Sequence, residues 1–314
     1  MVTRCTDHVW QLSLASPTLK PATTTNTYLI HDKEEVIIVD PGFDAPANTQ
    51  IILQTIQELG NPTVTGILFS HYHKDHTPGV RGLMQHLSCP IYCHELEAKQ
   101  VDRLIAPCKH TSVVEQGDRI PVGKLSVDVH HTPGHTPGHL AFHIPEDAIL
   151  LTGDSVISQG STWIGPPDGH MRTYLQTLEY LKTIPAACIG PGHGPLIHDP
   201  HKAIQWFITR RLDREQQILD ILRQNKSVRV SVIVERLYKD QLPADMIWVA
   251  EKTALAHLIK LEEDGLAQEI AETIPQQLST HTGKDLEQAI PKKRNEVPDA
   301  NRRFAILPGS HMEK

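Results

Sequence analysis

The sequence predicts an α+β fold with two domains, residues 1–200 and 201–272, and a tail at 273–314. Residues 1–200 alternate short apolar runs, rich in β-branched side chains, with turns rich in Gly and Pro, which is typical of β-sheets. The second domain instead places apolar side chains at helical spacings. A chain of 314 residues with 39% hydrophobic residues is long enough to build two cores.

The first domain begins with a predicted hairpin and a helix. Apolar runs at 26–30 and 36–39 flank a polar turn, which favours two antiparallel strands. Residues 47–59 have helical spacing and stop at Gly60. Three further strands are predicted at 66–69, 125–129 and 148–151, and a second helix at 171–183.

The second domain is predicted to be small and largely helical. Residues 201–225 form a long amphipathic helix, and 230–238 and 243–263 give two more, the last ending at Gly265. A short strand at 265–270 completes a pattern that resembles a winged-helix module. The tail is polar, with little apolar periodicity, and is predicted to be disordered.

Charge disfavours DNA as a partner of this module. Its predicted recognition helix, 244–264, carries five acidic residues against the two lysines Lys252 and Lys260. Nonspecific nucleic-acid binding depends on phosphate neutralisation by Lys and Arg. The formal net charge of the chain is −7, and the acidic excess lies in the first 200 residues. A polynucleotide is therefore a disfavoured substrate, although bound metal ions would return positive charge locally.

The composition also indicates where in the cell the protein is expected. No window approaches the roughly 18 consecutive apolar residues of a membrane span, and the first residues lack the apolar stretch of a signal peptide. The five cysteines form no Cys-x-x-Cys pair and are expected to be reduced. We therefore expect a cytoplasmic protein with no membrane partner, and the sequence leaves its oligomeric state open.

A dense group of metal-binding side chains follows the strand predicted at 66–69. The motif His71-x-His73-x-Asp75-His76 places three imidazoles and a carboxylate in six positions. In an extended run, residues i and i+2 point the same way, so His71 and His73 could hold one ion. Asp75 and His76, beyond the bend, would turn toward a second. Catalytic zinc takes such ligands and keeps one position for water, so each ion needs further ligands.

Three later turns offer those ligands. His135 lies in Thr-Pro-Gly-His-Thr, Asp154 follows the apolar run at 148–151, and His193 lies in Gly-Pro-Gly-His-Gly. Loops at the ends of strands are where a rigid sheet presents functional side chains. Imidazole and carboxylate suit zinc, iron and manganese alike. We expect two divalent metal ions, with Zn²⁺ preferred and Fe or Mn as alternatives.

In their order and local contexts, these residues resemble the metallo-β-lactamase superfamily, in the hydrolase branch that includes glyoxalase II. The resemblance spans about residues 8–200 and implies an αββα sandwich, with two sheets packed face to face, helices outside and the metals at one edge. It also implies the ligand sets, with His71, His73 and His135 on the first metal, Asp75, His76 and His193 on the second, and Asp154 on both. Asp75 would in addition orient the attacking hydroxide and accept a proton.

Three further residues are predicted to support this site. His139, in Thr-Pro-Gly-His, and Asp40, after the run at 36–39, are expected to hydrogen-bond or pack against the metal loops rather than bind metal. Trp163 lies in a Gly- and Pro-rich loop after Asp154. We expect it either to form one wall of the substrate pocket or to anchor that loop.

The predicted function is a dinuclear-metal hydrolase that uses a metal-bridging hydroxide to cleave an ester, thioester or phosphoester of a small molecule. The domain order, with the segments 24–29, 191–195 and 214–219, also resembles the mitochondrial-type endoribonuclease branch of the superfamily. Single-strand-specific RNA cleavage is therefore the runner-up, with RNA as a second candidate partner. A non-enzymatic, metal-stabilised interaction protein is the third alternative, although structural zinc sites are usually closed and rich in Cys.

Overall fold

The chain divides into two compact units in a computed structural model that describes residues 1–238, 241–270 and 298–307. The first unit comprises Met1–Thr162 and Arg172–Thr209. The second comprises Trp163–Met171 and the chain from Arg210 onward. The loop at 163–171 therefore belongs to the second unit, although the sequence analysis placed it in the first domain.

The first unit contains a seven-stranded sheet whose strands follow the order of the chain. Its strands are β1 (Val2–Arg4), β2 (Val9–Ala15), β3 (Thr24–Asp32), β4 (Glu35–Val39), β5 (Thr63–Leu68), β6 (Ile91–Cys93) and β7 (Ser112–Val113). Strands β1 to β4 pair antiparallel, whereas β4 to β7 pair parallel. Parallel pairing requires crossovers, and these are supplied by helices of the same unit.

A five-stranded sheet forms the other half of this unit. Its strands are β8 (Arg119–Val122), β9 (Leu125–His131), β10 (Leu140–Ile144), β11 (Ile149–Gly153) and β12 (Cys188–Pro191). The sheet order is β12-β11-β10-β9-β8, and only the β11/β12 pair is parallel. The helices that lie wholly or partly in this unit are α1 (Pro46–Glu58), α2 (Val80–Leu83), α3 (Ala98–Ile105), α4 (Met171–Leu181) and α5 (Pro200–Arg223).

Alternation along the strands explains how the layers stack. In β4, Ile37 and Val39 pack into a core shared with β8 to β12, between the two sheets. Their neighbours Val36 and Ile38 face the other way, into a second core that includes Ile52 of α1. A strand that is buried on both faces needs apolar side chains at both odd and even positions, and β4 has them. The expected αββα sandwich is confirmed.

The second unit is built around a three-stranded sheet. Its elements after α5 are β13 (Val228–Arg229), α6 (Val230–Tyr238), α7 (Ile247–Glu263), β14 (Ala267–Ile270) and β15 (Arg303–Ile306). The sheet order is β13-β15-β14, with antiparallel pairs. Leu255 and Leu258 of α7 and Phe304 of β15 are fully buried in its core. This arrangement confirms the predicted winged-helix module.

Strand β15 lies within the segment that was predicted to be disordered, and the structure differs from that expectation over residues 298–307. Phe304 has no exposed surface. Beside it, Arg302 donates from Nε and Nη2 to the two carboxylate oxygens of Glu269, at 2.7 and 2.8 Å. One buried aromatic and one bidentate ion pair therefore hold a segment that has no apolar periodicity of its own. The rest of the predicted tail, 273–297 and 308–314, lies outside the described residues.

Two expectations about the whole chain can also be compared with the structure. All five cysteines are free thiols. Among the described residues, no helix is both long enough and apolar enough to cross a membrane.

Candidate metal centre

Strand ends bring the predicted ligands together at one edge of the sandwich. The segment His71 to His76 follows β5, and His135 lies in the connection from β9 to β10. Asp154 directly follows β11, and His193 follows β12. The carboxyl ends of parallel strands meet at one edge of a sheet, and such edges commonly hold ligand sites. The three turns that are far apart in sequence therefore converge on the histidine motif.

Two clusters of ligand-type atoms result. In the first, His71, His73 and His135 place one ring nitrogen each within 4.8 Å of one another. His73 Nδ1 and His135 Nε2 are 3.0 Å apart. The second cluster contains Asp75, His76 and His193, again within 4.8 Å. In this cluster, His193 Nε2 lies 3.4 Å from Asp75 Oδ2.

Asp154 faces both clusters. Its Oδ1 lies 3.5 Å from His76 Nε2 and 3.3 Å from His193 Nε2, in the second cluster. Its Oδ2 lies 3.8 Å from His135 Nε2, in the first. The seven residues that the sequence indicated as ligands are thus brought into one site, with this carboxylate between its two halves.

Hydrogen bonds turn the Nε2 atoms of three histidines inward. The carboxylate of Asp40 accepts from Ser70 N–H at 2.7 Å, from the Ser70 hydroxyl at 2.5 Å and from His76 Nδ1 at 2.9 Å. Because the Ser70 hydroxyl donates to Asp40, its oxygen accepts from His71 Nδ1 at 3.0 Å. His193 Nδ1 donates to the carbonyl oxygen of Thr24 at 2.8 Å. A proton on Nδ1 leaves a lone pair on Nε2, the form in which histidine binds metals.

Three atoms of the site are buried without a hydrogen-bond partner, namely His71 Nε2, His76 Nε2 and Asp154 Oδ1. Buried polar atoms are nearly always paired in native proteins, so such exceptions need a cause. Imidazole nitrogen and carboxylate oxygen are ligands for divalent cations. The donor set therefore fits a bound metal at this position. Asp40 also lies within reach of His71 and His76, but its hydrogen bonds already account for it as a support of both rings.

Electrostatics favours positive charge between these side chains. Burial, followed by the neighbouring His135, lowers the pKa of His73 to about 3, so its ring is neutral. Burial acts in the same direction on His76, but Asp75, Asp154 and Asp40 outweigh it and raise the pKa of His76 to about 10. Three carboxylates around one buried imidazole therefore attract a cation, whether a proton or a metal ion.

His139 contacts the ligand loops through both of its ring nitrogens. Its Nε2 accepts the backbone N–H of Asp154 at 3.1 Å, so its Nδ1 carries the proton, which it donates to the hydroxyl of Thr132 at 2.8 Å. Its ring also stacks on His71, with centroids 5.1 Å apart. Both ring nitrogens therefore have hydrogen-bond partners, and the supporting role expected from the sequence stays a prediction that these contacts favour.

We expect His139→Ala to keep both metals at saturating concentration while kcat/KM falls about 10- to 100-fold, the usual cost of losing a partner that orients a ligand. The substitution removes the acceptor for the Asp154 backbone but no ligand. Metal analysis and steady-state kinetics measure the two effects separately. His86→Ala is the matched control, since His86 is exposed. Loss of both metals in His139→Ala would contradict this role.

Trp163 lies in the second unit, where its ring packs edge to face against Trp248 with centroids 5.4 Å apart. The expectation that Trp163 anchors its loop stays a prediction, which this contact favours. Its role as a wall of the substrate pocket stays a prediction.

Several residues that hold the ligand loops were missed by the sequence analysis. Asn26 donates from Nδ2 to the carbonyl oxygens of Pro191 and Gly194, at 2.8 and 2.7 Å, and so fixes the turn around His193. Gly192 leaves room for the Asp154 carboxylate, because a Cβ there would lie 2.3 Å from Asp154 Oδ1. Such contacts involve backbone atoms and empty space, for which the sequence offers no pattern.

Comparison with known proteins agrees with this geometry. The sequence matches the metallo-beta-lactamase superfamily over residues 21–193 and the beta-lactamase associated winged helix domain over residues 230–274. The atrochrysone carboxyl ACP thioesterase dmxR1 of Cryptosporiopsis sp. is 28% identical over 258 residues, which is 77% of this chain and 75% of that protein. The beta-lactamase-like protein 2 homolog of Drosophila melanogaster is 27% identical over 271 residues, 84% of this chain and 91% of that protein.

Solved structures show the same fold. A beta-lactamase domain protein from Burkholderia ambifaria has a TM-score of 0.78 at 18% identity, covering 98% of this chain and 93% of that one. A metallo-beta-lactamase family protein from Thermus thermophilus has a TM-score of 0.70 at 22% identity, covering 84% and 96%. The family match and the relative named as a thioesterase favour the enzyme over the non-enzymatic alternative. The chain belongs to the metallo-beta-lactamase superfamily of metal-dependent hydrolases.

Proposed function

We propose that this protein is a dinuclear-metal thioesterase, which hydrolyses the acyl thioester of a small molecule or of a carrier protein. The observation that carries the proposal is the position of Asp154 between two clusters of buried ligand-type atoms, with its own Oδ1 buried and without a hydrogen-bond partner. A single ion would leave one cluster unsatisfied. Two ions, most simply Zn²⁺, would use every one of these side chains.

The proposed ligand sets follow the clusters. The first ion would be held by His71, His73 and His135, the second by Asp75, His76 and His193, and both by Asp154. Metal ions in such a pair polarise the substrate oxygen and lower the pKa of a bound water to about 7. The chain's own part is to fix these side chains, which it does through Asp40, Ser70 and the Thr24 carbonyl.

Asp75 is the proposed proton acceptor. Its side chain is 15% exposed, so it borders the part of the site that water can reach. Although burial raises the pKa of this carboxyl, His76 and His193 lower it below its ordinary value, which keeps the carboxylate ionised. The side chain of Thr18 also helps to lower the pKa of this carboxyl. An ionised carboxylate at the site can orient the attacking water and take its proton.

A thioester suits this site because its leaving group needs little help. A thiol has a pKa of about 8.5 and can depart as the thiolate, whereas an alkoxide needs a proton donor. His139 cannot act as that donor, since its ring nitrogens are occupied by Thr132 and the Asp154 backbone. Proteins similar to this chain from Cryptosporiopsis sp. and Aspergillus fumigatus are named as acyl carrier protein thioesterases, which supports the same substrate class.

Nucleic acid is a weaker candidate substrate, because lysines of the second unit are already paired with carboxylates. On α7, Lys252 pairs with Asp299 at 2.5 Å, and Lys260 pairs with Glu215 and Asp264, both at 2.7 Å. Lysines that are already neutralised contribute little to phosphate binding. Single-strand RNA cleavage remains the alternative that the experiment must address.

The experiment is a substrate panel with the metal-loaded full-length chain. It contains an acyl thioester, the oxygen ester of the same acyl group and a single-stranded RNA, each also incubated with the double variant Asp75→Ala/His76→Ala. We expect the thioester to be cleaved fastest, RNA to stay intact and the double variant to be inactive. Cleavage of RNA by the wild type, with the thioester untouched, would refute the proposal in favour of a nuclease.

A further inference from the structure

We propose that Glu97 is a positioning residue that sets the separation of the two histidine loops, and thereby builds the metal position formed by His71, His73 and His135. This inference rests on the proposed two-metal site. Glu97 is neither a ligand in the proposed sets nor part of the ligand motif. It ends the short 3-10 turn Glu95–Glu97 that leads into α3, and it is only 2% exposed.

The carboxylate of Glu97 bridges two loops that are distant in sequence. Its Oε2 accepts the backbone N–H of Tyr72 at 2.9 Å. Its Oε1 accepts the backbone N–H of Gly138 at 2.8 Å. A buried carboxylate is costly to desolvate, so a chain that keeps one must satisfy its oxygens. Here two backbone donors do so, and each comes from a loop that carries histidines of the site.

The two donors occupy informative positions. Tyr72 lies between His71 and His73, and Gly138 lies between His135 and the supporting His139. Fixing these two N–H groups to one carboxylate fixes the distance between the loops. The contact most sensitive to that distance is the 3.0 Å approach of His73 Nδ1 to His135 Nε2, which joins the same two loops.

Packing at Gly138 shows how closely the carboxylate is held. A Cβ at this position would lie 2.6 Å from Glu97 Cγ, 3.0 Å from His94 Nδ1 and 3.1 Å from Glu97 Oε1. Alanine at 138 would therefore have to push the Glu97 side chain away. Gly138→Ala changes the carboxylate's position without changing its chemistry, which gives a second route to the same perturbation.

The second cluster depends on other supports. His76 is held by Asp40 and His193 by the carbonyl of Thr24. Losing the Glu97 bridge should therefore weaken one metal position and spare the other. A role confined to general stability would instead affect both positions alike.

Glu97→Gln is the primary test, because the amide has the size of the carboxylate but only one acceptor oxygen. Its NH₂ group would face either the Tyr72 or the Gly138 N–H, donor against donor. The matched control is Glu95→Gln, which makes the same charge change at an exposed neighbour. Each full-length variant is stripped of metal and titrated with Zn²⁺ against a competing chelator, and the thermal unfolding of the metal-free protein is followed separately.

We expect Glu97→Gln and Gly138→Ala to bind one of the two zinc ions about 10- to 100-fold more weakly, the range usual for lost partners of a ligand. The other ion should bind as in the wild type, and Glu95→Gln should match the wild type at both positions. Wild-type affinity at both positions, or equal loss at both, would overturn the proposal. If Glu97→Gln does not fold, Gly138→Ala decides the result by the same criterion.

These readouts are independent of substrate. A wild type that binds two zinc ions but cleaves no thioester would refute the proposed function and leave this inference standing. Thioester turnover by the wild type, together with unaltered zinc binding in both variants, would support the proposed function and refute this inference.

Discussion

Asp154→Asn is expected to abolish hydrolysis and to weaken both metal positions together. The Asp154 carboxylate faces both clusters, 3.3 Å from His193 Nε2 and 3.8 Å from His135 Nε2. Asparagine keeps the size but loses the charge and replaces one oxygen with a donor. Charge stabilisation by bound metal is worth several kcal/mol in such enzymes, so kcat/KM should fall about 1,000-fold or more.

Metal content measured on the same preparation separates this result from misfolding. Asp7→Asn is the matched control, because its side chain is 85% exposed and lies far from the site in sequence. If Asp154→Asn retained both metals with wild-type affinity, its carboxylate could not be the shared ligand.

Asp75→Asn is expected to lower kcat strongly with a smaller effect on KM. The amide oxygen can still approach a metal, but an amide cannot accept a proton. General acid–base catalysis typically contributes about 10²- to 10⁴-fold, and we expect a loss of kcat in that range. The kinetics of the zinc-loaded variant, with its metal content, provide the measurement.

The contrast with Asp154→Asn is the diagnostic feature. In Asp75→Asn most of the metal should stay bound, because His76 and His193 retain their supports. Wild-type kcat in a fully loaded Asp75→Asn protein would exclude Asp75 as the proton acceptor.

Local apolar periodicity and turn residues predicted most of the fold. The hairpin predicted at 26–30 and 36–39 corresponds to Thr24–Asp32 and Glu35–Val39, and the helix predicted at 47–59 to Pro46–Glu58. These elements carry their own periodicity and their own stop signals. Strand β15 does not, because its pairing partners in β13 and β14 are distant in sequence and its one large buried side chain is Phe304.

The residues of the site likewise divide into those that a local sequence pattern reveals and those that act through contacts distant in sequence. Ligand-type residues could be found from sequence because four of them are crowded into one motif and the others lie in Gly- and Pro-rich turns. Glu97 and Asn26 could not, since each acts on backbone atoms of another loop. Glu97 reaches a donor 41 residues away, and Asn26 reaches an acceptor 165 residues away. A Glu in a short acidic turn and an Asn in a strand belong to no sequence motif that would predict those contacts.

The most direct test of the account is thioester turnover by the chelator-treated full-length chain as Zn²⁺ is added back. Two metal positions joined through Asp154 predict no turnover without metal, and a rate that rises with added zinc to a plateau at two equivalents per chain. Full turnover in the metal-free protein, or a plateau at one equivalent, would contradict the two-metal site.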